Sequence, residues 1–190
     1  MAAANKATAP GPRMPGNSLT VHLFYTGVSM SYQSAIDALN AMTPELHLQP
    51  GHTRHKFSLD EIRVLLAALG NPQEHFQSVL IAGTNGKGST ASTLASILVA
   101  SGLRTGLYTS PHLTRPNERI RTNGMEICDE DFGKAYLRVG GAAQRLVASD
   151  ALTQLPSFFE TLTAMAFLHF AESGVEIAVL EVGMGGRLDA

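Results

Sequence analysis

The stretch Val79-Leu80-Ile81-Ala82-Gly83-Thr84-Asn85-Gly86-Lys87-Gly88-Ser89-Thr90 decides the fold. Four apolar residues run into a turn with three glycines in six positions, and a helical pattern follows. A strand, a glycine-rich turn and a helix in that order point successive backbone N–H groups at one spot. The helix N-terminus adds positive potential there, and both features suit a chain of phosphates. Lys87 would set its ammonium over the outer phosphates, with hydroxyls following at Ser89 and Thr90. The common phosphate-loop pattern has glycine where this chain has Ile81, and a hydroxyl where it has Gly88. The loop is therefore a shorter variant. Its plain alternative is a tight turn carrying an exposed lysine.

Outward from this stretch, helices and apolar strands alternate. Upstream, a short helix is expected over 32–42 with Ile36 and Leu39 inward, then a loop over 43–56. Ser58 reads as the cap of a helix carrying Leu59, Ile62, Leu65, Leu66 and Leu69, which Gly70-Asn71-Pro72 stops. Downstream, a helix over 89–101 has Leu94, Ile97 and Leu98 on one face, and Gly102 ends it. A strand over 105–109 completes a strand–turn–helix–strand unit, with a right-handed crossover expected. A loop over 110–117 leads to a hairpin turning at Asn123-Gly124. A helix over 129–149, weakened by Gly140-Gly141, precedes a largely apolar and hence buried helix over 156–172. The last strand, 177–182, runs into Gly183-Met184-Gly185-Gly186-Arg187-Leu188-Asp189-Ala190. Near-continuous apolar strands between helices predict an α/β, phosphate-loop-type three-layer domain with a mostly parallel sheet. Such a sheet is not expected to stop on a glycine-rich loop, so the domain reads as truncated.

The 190 residues suffice for one domain with a core, and 44% hydrophobic with 16% charged residues is ordinary globular composition. A net charge of −2 offers no basic face to nucleic acid. Cys128 is the only cysteine, so no internal disulfide forms and a reducing, cytoplasmic setting is expected. It stands among polar residues and reads as a bystander. No apolar run approaches the roughly 20 residues of a membrane helix. Residues 1–30 are read as an extension without fixed structure. Their alanine-rich, acid-free character faintly resembles a targeting segment, but Leu19 to Val28 contains His22 and Thr26 and no cleavage pattern follows. Met30 opens the helical patterning, so the leader reads equally well as an upstream extension.

Outside the loop, Ser110 follows the second strand, where ligands of an open parallel sheet bind. It is either an ordinary turn residue or an oxygen ligand for Mg2+. Glu181 interrupts an apolar strand, where a charge is costly unless paired or bound to a metal. A hard cation bridging ATP phosphates would supply that pairing; the alternative is a solvated glutamate at the sheet edge. Arg187 and Asp189 form either a surface ion pair or a substrate-orienting pair. Phe158 and Phe159 are most simply core residues. The histidines show no zinc-site spacing.

Five motifs in register resemble one family. They are Gly83-Thr84-Asn85-Gly86-Lys87-Gly88-Ser89, Tyr108-Thr109-Ser110-Pro111-His112-Leu113, Asn117-Glu118-Arg119-Ile120, Phe158-Phe159-Glu160 and the stretch from Leu180 to Ala190. The family is that of folylpolyglutamate synthase and dihydrofolate synthase, a branch of the Mur ligases. The resemblance covers the chain from about residue 32 to its end, and Gly88 favours the folate branch. It implies that residues 31–190 are the N-terminal part of a Mur-ligase-like ATP-binding domain. The rest of that domain and the C-terminal glutamate-ligase domain would lie beyond Ala190.

The implied reaction is ATP-dependent addition of L-glutamate to dihydropteroate or a reduced folate through an acyl phosphate. By likeness, Thr84, Asn85, Gly86, Lys87, Gly88 and Ser89 hold the phosphates, with Lys87 and Glu181 taking catalytic roles. Ser110 and Glu181 would be the Mg2+ ligands. Lys56, Phe57, Ser58, Phe159, Asp189 and Ala190 would face the folate substrate. The implied partners are small molecules acting on a monomer, with neither nucleic acid nor membrane. The family's third metal-ligand histidine and its carbamylated lysine are not within these residues, so the chain alone is expected to be inactive. Rival readings are a ligase of cell-wall precursors and a non-catalytic nucleotide-binding fragment. All readings that use the loop make one expectation in common. Lys87→Ala should abolish nucleotide binding, as checked by calorimetric titration with Mg-ATP.

Overall fold

Helix α1, Tyr32–Asn40, starts at Ser31, whose hydroxyl accepts the Ser34 N–H at 3.2 Å, and it buries Ala35 and Leu39. The structure, a computed structural model, describes residues 31–42 and 59–183. Residues 1–30, read above as an extension, lie outside that range. Helix α2, Asp60–Ala68, buries Ile62, Leu65 and Leu66. Leu59 directly precedes the helix, and Ser58, expected as the cap, lies outside the described residues. Asp60 and Glu61 stand in the first turn, where carboxylates face the unpaired N–H groups. After α2, Gly70 and Asn71 take positive φ values of 85° and 52°, and Pro72 opens a 3-10 turn, Pro72–Glu74. The Gly-Asn-Pro stop acts through this backbone reversal.

The sheet has five strands, in the order β1-β5-β2-β3-β4. Strands β1 (Gln77–Ile81), β5 (Ile177–Glu181) and β2 (Thr105–Tyr108) are parallel. Strands β3 (Ile120–Thr122) and β4 (Met125–Glu126) are antiparallel additions beyond β2. Their hairpin turns at Asn123 and Gly124, both at positive φ, as the Asn-Gly pair predicted. The first two strands of the unit around helix α3, Lys87–Ala100, are therefore not neighbours: β5 inserts between them. Val79 and Leu107 both pair with Val179, which makes β5 the middle one of the three parallel strands.

Side chains of a strand alternate between faces. Leu107 and Val179 point to α3 and meet Ala91 and Ala95. The inward face of α3 is thus made of small residues with Leu94 and Leu98, while Ile97 is 57% exposed, contrary to the sequence reading. Tyr108, Ile120 and Ala178 belong to the larger core on the other face. That core is built on helix α5, Phe158–Glu172, which packs against helix α4, Asp129–Ala148. Ser157 and Glu160 close a capping box at the start of α5. Gly140 and Gly141 do not interrupt α4, because Val139, Ala142 and Ala143 around them are buried. Helix α3, the sheet and the α5 side make three layers, as expected.

Gly106 marks the tightest contact between sheet and α5. A Cβ there would stand 3.0 Å from the Phe170 ring, which is itself fully buried. Gly106→Ala should therefore destabilise the fold by about 1–3 kcal/mol, the usual cost of overpacking a rigid core. Urea unfolding of the variant against the parent checks this.

Candidate functional site

The phosphate loop is shaped by backbone more than by side chains. Gly86 stands at the N-cap of α3 with φ of 73°, a left-handed conformation that glycine adopts without strain. Its carbonyl accepts the Thr90 N–H at 2.9 Å, closing the first helical turn. No side chain caps this end, so the leading N–H groups of α3 are available to an anion. The helix begins at Lys87, two residues earlier than expected, which brings the lysine into its first turn. The Lys87 stem bends back over the loop, its Cγ lying 3.8 Å from where a Cβ of Gly83 would be. Thr84, Asn85, Gly86 and Ser89 are exposed, while Lys87 and Gly88 are half-buried.

Glu181 ends the middle parallel strand and shares the face of Val179, so it points to the start of α3. It is 6% exposed, which removes the reading of a solvated edge residue. A Cβ at Gly88 would stand 3.4 Å from Glu181 Oε2 and 3.7 Å from Oε1. Gly88 thus keeps the approach to the carboxylate open where a side chain would fill it. Ser110 donates its backbone N–H to Glu181 Oε2 at 3.1 Å. Loop, serine and carboxylate therefore meet at one place, as the sequence reading required.

The chemistry of this donor set fits Mg2+ with a nucleotide. A nearly buried carboxylate accepts one hydrogen bond among the described residues and pairs there with no cation. Beside it stand a serine and an uncapped helix start. Among the described residues no three His, Cys, Asp or Glu side chains group to hold a metal unaided. Magnesium suits such a place, since it keeps waters and takes one or two protein oxygens plus phosphate.

The remaining expected residues divide. Phe159 is 9% exposed, with its ring 6.0 Å from that of Tyr108, so it stands in the core. Lys56, Phe57, Ser58, Asp189 and Ala190, with Arg187, lie outside the described residues. A cleft of about 300 Å3 opens between α2, α5 and the sheet and reaches Glu181 and Val182. Tyr108 and Thr163, joined hydroxyl to hydroxyl at 3.3 Å, are among its polar lining.

Sequence reasoning gave no role to the loop between Ser110 and β3, although two of its motifs were quoted. The Glu118 carboxylate accepts the N–H groups of Leu113, Thr114 and Arg115, each at 2.8 Å. Asn117 is fully buried; it donates to Ile127 O at 2.9 Å and accepts from Tyr32 Oη at 2.7 Å. The available signal was Pro116 with Glu118 two residues on, a helix-start pattern. Arg119 Nε donates to His112 Nδ1 at 2.9 Å. Burial and the Arg119 charge hold His112 below its ordinary value, against the pull of Glu118.

No family profile matches the chain. Dihydrofolate synthase/folylpolyglutamate synthase of Mycobacterium tuberculosis is 41% identical over 161 residues, covering 80% of this chain and 31% of that protein. The crystal structure of folylpolyglutamate synthase from Thermotoga maritima superposes with TM-score 0.71 at 44% identity, covering 83% of this chain and 34% of that one. A folylpolyglutamate synthase–AMPPCP–folate complex gives TM-score 0.75 at 37% identity, covering 84% and 37%. Sheet order, loop and acidic strand end define an α/β domain of the phosphate-loop type. The chain belongs to the folylpolyglutamate synthase/dihydrofolate synthase family and spans about a third of the length of these relatives.

The three N–H bonds to Glu118 hold its carboxyl well below the ordinary value of 4.5, at about 2. A folded-state value below the unfolded one adds stability above pH 4.5, and that stability is lost as pH falls towards 2. The group is solvent-exposed, so water screens the gain and the effect is modest. The gap in urea midpoint between the parent and Glu118→Gln should be open at pH 6 and close progressively between about pH 4.5 and 2.

Proposed function

We propose that this chain supplies the ATP-binding front of a ligase that joins L-glutamate to dihydropteroate or a reduced folate. The observation that carries the reading is the meeting of the α3 N-terminus, Ser110 and Glu181. The relatives' names and the AMPPCP–folate complex support the substrate class. In the proposed reaction the terminal phosphoryl of ATP passes to the substrate carboxylate and ADP leaves. The glutamate amine then attacks the acyl carbon, phosphate departs with the bonding pair, and the amine proton goes to solvent. A free carboxylate is a poor acyl donor, which is why activation precedes attack.

Each residue has a charge or orientation task. Lys87 neutralises the outer phosphates, while the N–H groups from Thr84 to Ser89 wrap the chain. Mg2+, when bound, would supply further positive charge against the phosphates. Ser110 and Glu181 would hold it. Phe159 keeps the N-terminal end of α5 packed on Tyr108 and so borders the substrate side; Lys56, Phe57, Ser58, Asp189 and Ala190 complete that side in this proposal. Cytoplasmic, monomeric action is part of the same reading, and it leaves Cys128 without a chemical role.

Glu181→Gln separates metal binding from folding, since it removes a nearly buried charge and keeps the shape. Its unfolding midpoint should equal or exceed that of the parent, while Mg2+ no longer strengthens ATP binding. Unchanged Mg2+ dependence would remove the carboxylate from the site. For the substrate, the protein carrying this chain at full length is assayed for glutamate-dependent ADP release. Release with dihydropteroate or a reduced folate is expected; release with a muramyl nucleotide only would transfer the assignment to cell-wall ligation.

A further inference from the structure

Arg119 is 3% exposed, an uncommon place for a guanidinium that the proposed chemistry does not use. It ends the 3-10 turn Pro116–Arg119 and opens the way into β3. Its Cζ stands 5.2 Å from the centroid of the Phe158 ring, on the first turn of α5. Its Nε donates to His112 Nδ1 at 2.9 Å, and its carbonyl accepts the Thr109 N–H at 3.0 Å. The His112 ring also leans on Phe158, with centroids 6.4 Å apart. Ser110 therefore sits between two points, Thr109 and His112, that are both tied to one buried residue. Without these ties, only the bond from Ser110 N to Glu181 among the described hydrogen bonds would hold the serine to the site.

We infer that Arg119 is a positioning residue for the metal site: it fixes the turn after β2 so that Ser110 stays against Glu181. The inference rests on the Mg-ATP reading, but its effect is one of placement and can be read without metal. A planar fork is needed to reach His112 while standing over Phe158, so lysine is no substitute. Supporting residues of this kind typically alter metal affinity by 10–100-fold when removed.

The test uses the whole 190-residue chain as parent, Arg119→Met, Arg119→Lys and His112→Phe. Amide hydrogen exchange is followed at Ser110 with neither nucleotide nor metal present. ADP binding is then titrated without and with Mg2+. In all three variants Ser110 exchange should accelerate, and the Mg2+ concentration for half-maximal enhancement should rise by roughly tenfold or more. Metal-free ADP affinity, set by the loop before α3, should stay within twofold or so of the parent. Unchanged Ser110 exchange and Mg2+ demand in folded variants would overturn the inference, as would equal weakening of metal-free ADP. If Arg119→Met does not fold, His112→Phe decides by the same readouts; if neither folds, Arg119 belongs to the core and the inference falls. Absence of Mg2+-enhanced binding in the parent would instead remove the Mg-ATP reading and leave the exchange result to stand alone.

Discussion

A carboxylate at the end of the middle parallel strand sets the constraints on everything around it. Glu181 is nearly buried, and burying an ionised group is unfavourable unless something opposite in charge arrives. The chain brings to it an uncapped helix start and a serine from the neighbouring strand's exit loop. Gly88 leaves space beside it, because any side chain there would rest on the carboxylate oxygens. The small residues Ala91 and Ala95 on the inward side of α3 let that helix lie close to β5 and β2.

The opposite face does a different task. Helix α5 is apolar on most sides because it lies between the sheet and α4, and its first turn meets the turn after β2. Phe158 and Phe159 divide there: one carries Arg119 and His112, the other packs on Tyr108. Core and site are thus joined through a few aromatic contacts, so that helix packing and loop placement are not independent. The Glu118 carboxylate folds the same loop locally by taking three consecutive N–H groups.

Some of this was legible and some was not. The strand before Gly83, the hairpin at Asn123-Gly124 and the stop at Gly70-Asn71-Pro72 were readable because each depends on a local backbone requirement. Ile97 was misread as inward because its spacing fits a helical face equally well. Only the approach of β5 shows that the sheet touches the Ala91–Ala95 side. Arg119 stood in a quoted motif without a role, since nothing nearby in sequence announces a buried guanidinium.

The sequence by itself determined the strand–loop–helix unit, the apolar strands of a covered sheet and the oddity of a glutamate among them. These are short-range properties, set by glycine φ freedom, side-chain periodicity and the cost of desolvating charge. Only the tertiary structure decided that β5 enters between β1 and β2, and this single placement puts Glu181 against Gly88 and Ser110. Strand order depends on which distant faces bury each other, a choice made by residues about a hundred positions apart, and no local pattern encodes it.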